Sequence, residues 1–351
     1  MITVNVPGKL FIVGEYAVTS PHQPAIIAPV ERFLTARIDD YHDNIIFSEQ
    51  HKHTLVHFTR EKEQISATPN LYPLITTAIH ITESYLTITP KPFRLDISSD
   101  LDAPDGTKYG LGSSGAVTVA TIKAVGAFYG KTLDNLTVYK LAVLTHLSLN
   151  SVGSFGDIAT IAFGKLIAYT MCDINWLKQQ QHTCSIQEIV HRKWKDLSIE
   201  CLTLPKNLSF LIGWTGTPAS TELLVKEMKK QKESALYQTF LMDNKDCTNQ
   251  YIQAIKEQNI SVIKACIQKN RKQLQQLSRY IETPTLKTLC DIAERYGSVA
   301  KTSGAGGGDC GICLVENVQQ KENIISAWNQ AAILHLGEIG GNYDTASQSK
   351  R

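Results

Sequence analysis

The feature that most constrains this chain is a glycine- and serine-rich segment, 110–115, that runs directly into a strongly apolar stretch. The spacing of the apolar residues predicts a helix over about 113–129, with Ser113 and Ser114 near its capping position. Glycines leave backbone N–H groups accessible, and the positive end of the helix dipole points at the loop. The segment therefore predicts a phosphate-binding loop at a helix N-terminus.

The contacts expected in such a loop follow from this placement. The predicted phosphate-binding residues are Lys108, Gly110, Leu111, Gly112, Ser113, Ser114 and Gly115. A serine hydroxyl at the start of the helix can also reach a Mg²⁺ ion that the phosphates carry. The competing interpretation is a glycine turn that only caps a buried helix.

The context of the loop argues against two better-known nucleotide-binding motifs. Its glycines match the spacing of the dinucleotide-binding fingerprint, but polar residues 105–108 stand where an apolar strand should precede them. No segment matches the G-x-x-x-x-G-K-[ST] pattern, because Gly164-Lys165 lacks both the earlier glycine and the following hydroxyl residue. The sequence therefore predicts neither a Rossmann enzyme nor a Walker-type ATPase.

Three further segments are candidates for chemistry. The predicted loop 301–309 contains four glycines at positions 304–308, an entropically costly run that indicates close approach to a ligand or to another backbone; a flexible linker is the alternative. Lys9 stands between Pro-Gly and an apolar strand, which suits a charge aimed at phosphate, whereas the alternative is a surface lysine. Asp157 lies between a small-residue turn and an expected apolar strand, and its alternative is a turn aspartate that satisfies its own backbone.

Length and composition bound the class of protein. At 351 residues the chain is long enough for two lobes that share a cleft. A formal net charge of +2, with dispersed lysines, argues against a nucleic-acid partner. We expect no membrane partner, since no secretory signal is visible and no window approaches about 18 uninterrupted apolar residues. Eight irregularly spaced cysteines indicate a reducing compartment, so a cytoplasmic location is expected.

The periodicity of apolar residues outlines the elements and the domains. Strands are expected at 3–6, 10–13, 33–38, 43–60, 93–97, 158–170 and 210–214. Helices are expected at 71–88, 113–129, 134–148, 285–299 and within 221–280. A shift in composition near residue 200 divides the chain into a predicted N-terminal domain, 1–200, a C-terminal domain, 201–345, and a polar tail, 346–351.

The combination of these segments, in this order, resembles the GHMP kinases, a family named for galactokinase, homoserine kinase, mevalonate kinase and phosphomevalonate kinase. The first family motif resembles Pro7–Val18, the second is matched by Gly110–Gly115 and the third by Lys301–Gly308. Within the family, the bacterial phosphomevalonate kinases are the branch that the chain resembles most, nearly end to end. One departure is Phe155, where that branch leads us to expect a smaller or sulfur-containing side chain.

The resemblance implies a two-lobed α+β fold with the active site in the cleft. The N-terminal lobe would be of the ribosomal protein S5-like type, and the C-terminal lobe would be α/β. ATP with Mg²⁺ is the implied phosphoryl donor, and phosphomevalonate the implied acceptor. Lys9 and Asp157 are then the expected catalytic residues, and Ser114 is the expected Mg²⁺ ligand. The expected substrate-binding residues are Lys9, Tyr16, Ser154, Asp157, Ser220, Ser303, Gly304 and Ala305.

Some alternatives stay open at this point. Within the family, the acceptor could instead be mevalonate or another small molecule. From a different class, a non-catalytic relative could keep the cleft and regulate a partner. Asp157 could act as a weak base or as an orienting group, and the expected assembly is a monomer or a weak homodimer.

Overall fold

The computed structural model describes all residues of the chain except 52–53, 62–63, 207, 220–223, 225–233 and 341–351. Within the described residues, two β-sheets follow each other along the chain, and helices pack against both. The strands of the first sheet end at Cys201, and those of the second begin at Ser209. This architecture confirms the predicted α+β class.

The first sheet has eight strands and is organised around one long strand. The strands are β1 (Ile2–Val13), β2 (Pro24–Asp40), β3 (Ile45–Ser48), β4 (Leu55–Arg60), β5 (Ile65–Ala67), β6 (Phe93–Ser99), β7 (Ile167–Thr170) and β8 (Ser198–Cys201). β2 pairs antiparallel with β1, β6 and β7, whereas β3 and β6 run parallel. Burial alternates along β1, with Val6, Leu10 and Ile12 buried on one face. Because successive side chains of a strand point to opposite faces, the side chain of Lys9 lies on the other face.

Six α-helices lie among the described residues of the same part of the chain. They are α1 (Pro73–Leu86), α2 (Ser113–Phe128), α3 (Asn135–Ser148), α4 (Gly156–Phe163), α5 (Ile174–Thr183) and α6 (Ile186–His191). Helix α2 contacts β1, β2, α1 and α3. The side chains of α2 itself are predominantly small and apolar on all its faces, and a helix with that composition is stable only when it is buried. The core therefore fixes the helix whose N-terminus adjoins the glycine-serine loop.

The second sheet has four antiparallel strands and its own helices. The strands, in the order in which they pair, are β10 (Val299–Thr302), β11 (Cys310–Val315), β9 (Ser209–Trp214) and β12 (Leu334–Gly340). The described helices of this part are α7 (Ala235–Lys256), α8 (Ile260–Leu277), α9 (Pro284–Arg295) and α10 (Val318–Gln330). None of the helices in the described part of the chain combines the length and apolar character that crossing a bilayer requires.

The strand predicted over 158–170 is wrong in its first half. Residues Gly156–Phe163 form helix α4, Gly164 ends it in the left-handed conformation, and only Ile167–Thr170 form a strand. A short, continuous apolar run fits a buried helix as well as a buried strand, so periodicity alone could not decide. Asp157 therefore lies in the first turn of a helix and not in front of a strand.

Lys301, predicted in the glycine-rich loop, lies instead in strand β10 and is completely buried. Its ammonium donates hydrogen bonds to a carboxylate oxygen of Glu15 and to the backbone carbonyl of Thr302. Glu15 is 2% exposed, and its second carboxylate oxygen is buried without a hydrogen-bond partner among the described residues. A buried ion pair therefore joins the first sequence motif to the third.

We predict that removing one member of this pair destabilises the protein strongly. Lys301→Met should lower the free energy of unfolding by about 3–5 kcal/mol, because the Glu15 carboxylate would stay buried without its counter-ion. The double variant Glu15→Leu, Lys301→Met should recover most of that loss, since no uncompensated charge remains. Urea-induced unfolding measures both values.

The matched control is Lys287→Met. Lys287 pairs with Asp291 at the surface, with 62% of its side chain exposed, so its loss should cost no more than about 1 kcal/mol. Equal costs for the Lys301 and Lys287 variants would contradict the proposed importance of the buried pair.

Candidate active site

The glycine-serine loop ends in an uncapped helix. Gly112 is the N-cap of α2, with φ of 85°, and no side chain caps this end. Because the first-turn amides of an α-helix have no partner within the helix, the N–H groups of residues 113–115 are available to an external acceptor. The predicted start of the helix is confirmed, although Gly112 and not a serine occupies the N-cap position. Free amides at a helix N-terminus suit an anion.

Lys9 lies against this loop through its backbone and its side chain. Its backbone N–H donates to the carbonyl of Leu111 at 2.9 Å, and its Nζ donates to the carbonyl of Gly110 at 3.0 Å. A β-carbon at Gly112 would lie only 2.8 Å from Cε of Lys9. Glycine at position 112 thus permits both the positive φ and the close passage of the lysine stem.

Asp157 approaches the same loop from the other end. One carboxylate oxygen accepts the backbone N–H of Ile158 at 2.9 Å, and the other would lie 3.6 Å from a β-carbon at Gly115. Lys9 borders the loop at Gly112 and Asp157 borders it at Gly115, so a cation and a carboxylate flank the same anion site.

Hydrogen bonds of two buried tyrosines, Tyr169 and Tyr139, support the turn that precedes Asp157. Phe155 has φ of 58°, an uncommon value for a side chain of its size. The hydroxyl of Tyr169 donates to the carbonyl of Ser154 and lies 3.0 Å from the hydroxyl of Tyr139. Burial raises the pKa of both phenols well above 10, so they stay protonated and can donate. These contacts stabilise the turn and fix the direction of Asp157.

His146, which was not among the predicted site residues, lies near both the glycine-serine loop and Asp157. Nε2 of His146, on α3, is 3.1 Å from the hydroxyl of Thr118, which donates to the carbonyl of Ser114 at 3.0 Å. Burial lowers the pKa of His146, while the Asp157 carboxylate and the Ser114 carbonyl act in the opposite direction. The imidazole is therefore neutral at neutral pH.

Asp309, at the end of the glycine-rich segment, reaches the loop from the second sheet. Its carboxylate accepts the backbone N–H of Ala219 at 2.9 Å, and its Oδ2 would lie 2.4 Å from a β-carbon at Gly110. Burial raises the pKa of Asp309, and the charges of Lys9 and Lys108 oppose that shift. Lys108 was predicted to contact phosphate, and in the structure its charge acts on Asp309.

The predicted substrate-binding residues fall into distinct environments. The hydroxyl of Tyr16 donates to the carbonyl of Ala305, which brings these two residues together. Ser303 is buried, and its hydroxyl donates to the carbonyl of Phe11 at 2.8 Å. Gly304 has φ of 77° and open space around it.

Ser154 and Ser220 are the two remaining serines of the predicted substrate site. Ser154 is 9% exposed, and its hydroxyl accepts the N–H of Gly156 at 3.4 Å. Ser220 lies outside the described residues. Four residues near the site were not predicted, because each contacts a residue that is distant in sequence and only the fold brings the two together. They are Glu15, Thr118, His146 and Asp309.

Comparison with known proteins assigns this arrangement to a family. Residues 73–165 match the model of the GHMP kinases N terminal domain, and residues 251–334 match that of the GHMP kinases C terminal. The chain is 33% identical, over 95% of its length and 96% of the relative, to phosphomevalonate kinase from Streptomyces sp. (strain CL190). The chain belongs to the GHMP kinase family. Its predicted two-lobed GHMP fold is thereby confirmed.

Two other relatives of this GHMP kinase bear on its reaction. A solved structure titled Streptococcus pneumoniae phosphomevalonate kinase in complex with phosphomevalonate and AMPPNP superposes with a TM-score of 0.87. It is 30% identical and covers 96% of this chain and 99% of its own. Mevalonate kinase from Methanocaldococcus jannaschii is 27% identical, over 91% of this chain and 93% of that protein.

The raised pKa of Asp309 yields a prediction about stability and pH. A carboxyl group whose pKa is higher in the folded than in the unfolded state favours folding below the unfolded pKa, and that contribution is lost as the pH rises through the folded pKa. Asp309→Asn keeps an acceptor for Ala219 and tolerates the positive φ of 51°. It should therefore melt at a higher temperature than the parent at pH 7, by a margin that shrinks toward pH 4.

Asp105→Asn is the control of opposite sign, because backbone and side-chain hydrogen bonds from Thr107 lower the pKa of that exposed carboxyl. Thermal melts between pH 4 and pH 8 measure both effects. A melting difference for Asp309→Asn that does not change with pH would show that the carboxylate carries no burial penalty.

Proposed function

We propose that this GHMP kinase is a phosphomevalonate kinase. It transfers the γ-phosphoryl group of ATP to the phosphate of (R)-5-phosphomevalonate and releases ADP and (R)-5-diphosphomevalonate. The observation that carries the proposal is the uncapped N-terminus of α2, flanked by Lys9 at Gly112 and by Asp157 near Gly115. The relatives named phosphomevalonate kinase match nearly the whole chain and supply the identity of the acceptor.

In this proposal the nucleotide phosphates lie at the loop. The N–H groups of the first turn of α2 donate to phosphate oxygens, and the helix dipole adds its positive end. The residues that hold the phosphates are Lys108, Gly110, Leu111, Gly112, Ser113, Ser114 and Gly115. Because phosphoryl transfer has a loose transition state, positioning and charge stabilisation by these groups account for most of the catalysis.

The residues at the loop fit a Mg²⁺ ion that arrives with ATP. Such an ion would take one or two protein oxygens as ligands and would supply neutralisation of phosphate charge. Ser114 offers an exposed hydroxyl at the start of α2, and the Asp157 carboxylate lies beside Gly115. The described residues contain no group of three or more acidic, histidine or cysteine side chains suited to an independent metal site. We therefore propose Ser114 as the protein ligand of the nucleotide-bound ion.

Lys9 and Asp157 act on the acceptor side. The acceptor phosphate has a second pKa of ~6, so it is largely ionised at neutral pH and needs no strong base. Lys9 offsets the repulsion between two anionic phosphates and stabilises the charge on the group in transfer. Asp157 orients the acceptor oxygen, and the rest of the substrate is held by Tyr16, Ser154, Ser220, Ser303, Gly304 and Ala305.

The proposal also covers the cellular location, the assembly and the partners of the enzyme. All eight cysteines are unpaired, which suits a reducing compartment, and we assign the enzyme to the cytoplasm. We propose that it acts on small molecules as a monomer or weak homodimer, without nucleic-acid or membrane partners.

An acceptor panel tests the proposed reaction directly. ADP release should be fastest with (R)-5-phosphomevalonate and at least about tenfold slower with mevalonate at equal concentration, because an anionic acceptor makes use of Lys9. No CO₂ should be released. Preferential turnover of mevalonate would favour the sibling kinase, and tight ATP binding without turnover of any acceptor would favour a non-catalytic regulator.

The flanking charges yield a prediction about turnover. Lys9→Ala should lower kcat by at least roughly 10²-fold at saturating substrates, since one donor to the transition state is lost. Asp157→Asn should be similarly impaired while its circular dichroism spectrum and melting temperature stay close to those of the parent. Lys165→Ala is the matched control, because Lys165 is exposed just beyond the end of α4. Near-normal kcat in the Lys9 variant would remove this residue from the mechanism.

A further inference from the structure

A buried chain of hydrogen bonds connects helix α3 to the phosphate loop. It starts at Nε2 of His146, passes through the hydroxyl of Thr118 and ends at the backbone carbonyl of Ser114. His146 is 8% exposed and Thr118 is fully buried. A threonine that bonds to the carbonyl four residues earlier is common in helices, but the imidazole that contacts the same hydroxyl is an addition specific to this site.

The direction of the proton donation in this chain follows from its last member. A backbone carbonyl can only accept, so the Thr118 hydroxyl must give its single proton to Ser114. The same hydroxyl then has only lone pairs to offer His146, so Nε2 of the imidazole carries a proton and donates. In sequence, His146 donates to Thr118 and Thr118 donates to Ser114.

The carbonyl of Ser114 shares its peptide group with the N–H of Gly115. A hydrogen bond to a carbonyl polarises the peptide, and chains of hydrogen bonds strengthen one another in a low-dielectric interior. The N–H of Gly115 is a first-turn amide of α2 without a partner in the helix. Donation into the Ser114 carbonyl therefore makes the Gly115 N–H a stronger donor and holds its peptide plane in one orientation.

We propose that His146 is a positioning residue, which acts through Thr118 to orient and strengthen the Gly115 amide toward a phosphate group of the nucleotide. This inference rests on the proposed function, because it needs nucleotide phosphates at the N-terminus of α2. His146 touches neither substrate. The His146 ring also packs against Phe155 in the Asp157 turn, so α3 contacts both the phosphate loop and that turn.

The competing interpretation is that His146 is an ordinary buried histidine whose hydrogen bond only satisfies its own nitrogen. The two interpretations differ in what they predict for ligands. A purely structural contact affects all ligands of the cleft alike, whereas the proposed role affects only ligands that carry the phosphates contacted by the Gly115 amide.

The test compares binding of Mg²⁺-AMPPNP with binding of AMP, which lacks the β- and γ-phosphates. His146→Leu, which cannot donate, should weaken AMPPNP binding about tenfold and leave AMP binding within about twofold. His146→Gln, whose amide can donate to Thr118, should stay within about threefold of the parent. Competition with a fluorescent nucleotide measures all of these dissociation constants.

Thr118→Val removes the middle member of the chain without changing its shape much, so it tests the proposal even where a His146 variant folds poorly. It should reproduce the tenfold loss, and adding His146→Leu should weaken binding no further, because both act through one carbonyl. The matched control is Thr121→Val. Thr121 is equally buried and donates to the carbonyl of Val117 at 2.7 Å on the same helix. Its nucleotide affinity should not change.

Any of three results would overturn the proposed role. The variants could weaken AMPPNP and AMP binding equally, or His146→Leu and Thr118→Val could leave AMPPNP affinity unchanged. The third contradicting result is a loss of affinity in the double variant that equals the sum of the two single losses. If the unmodified enzyme itself binds AMPPNP no more tightly than AMP, the nucleotide site of the proposed function has failed instead, and the positioning role falls with it.

Discussion

The constraint on which the rest of the site depends is the uncapped N-terminus of a buried helix. The apolar surface of α2 holds it in the core, so its first-turn N–H groups cannot be satisfied by moving the helix. Gly112 removes the side chain that would usually cap them. These amides require an external acceptor, and an anion is the acceptor that the helix dipole favours. Lys9, Asp157 and His146 all lie against this one end of α2.

A second constraint is the junction between the two sheets. Glu15 and Lys301, separated by 286 positions in sequence, form a buried ion pair beside the hydrogen bond from Tyr16 to Ala305. Ser303 adds a third connection through the carbonyl of Phe11. These contacts hold the glycine-rich segment against the first strand, and Asp309 then meets Gly110 at the loop. The distance between the parts of the site is thus fixed by contacts within the protein, and the Glu15–Lys301 pair among them has no proposed contact with a substrate.

The parts that the sequence predicted are those that depend on local patterns. The glycine-serine loop and the start of α2 could be predicted because glycine content and apolar spacing occur within a few residues of each other, although the serines expected to cap the helix do not cap it. The element that carries Asp157 was predicted wrongly, since a short apolar run does not distinguish a helix from a strand. Lys301 was placed in a loop because the partner that permits its burial, Glu15, is distant in sequence. The donation from His146 to Thr118 leaves no sequence pattern at all.

The central claim is that nucleotide phosphates occupy the N-terminus of α2 between Lys9 and Asp157. A crystal structure of the enzyme with Mg²⁺-AMPPNP and (R)-5-phosphomevalonate tests it most directly. We expect phosphate oxygens within about 3.2 Å of first-turn amide nitrogens, with Nζ of Lys9 and the Asp157 carboxylate both beside the γ-phosphorus on its acceptor side. A triphosphate bound elsewhere, or a γ-phosphorus remote from either side chain, would contradict the account.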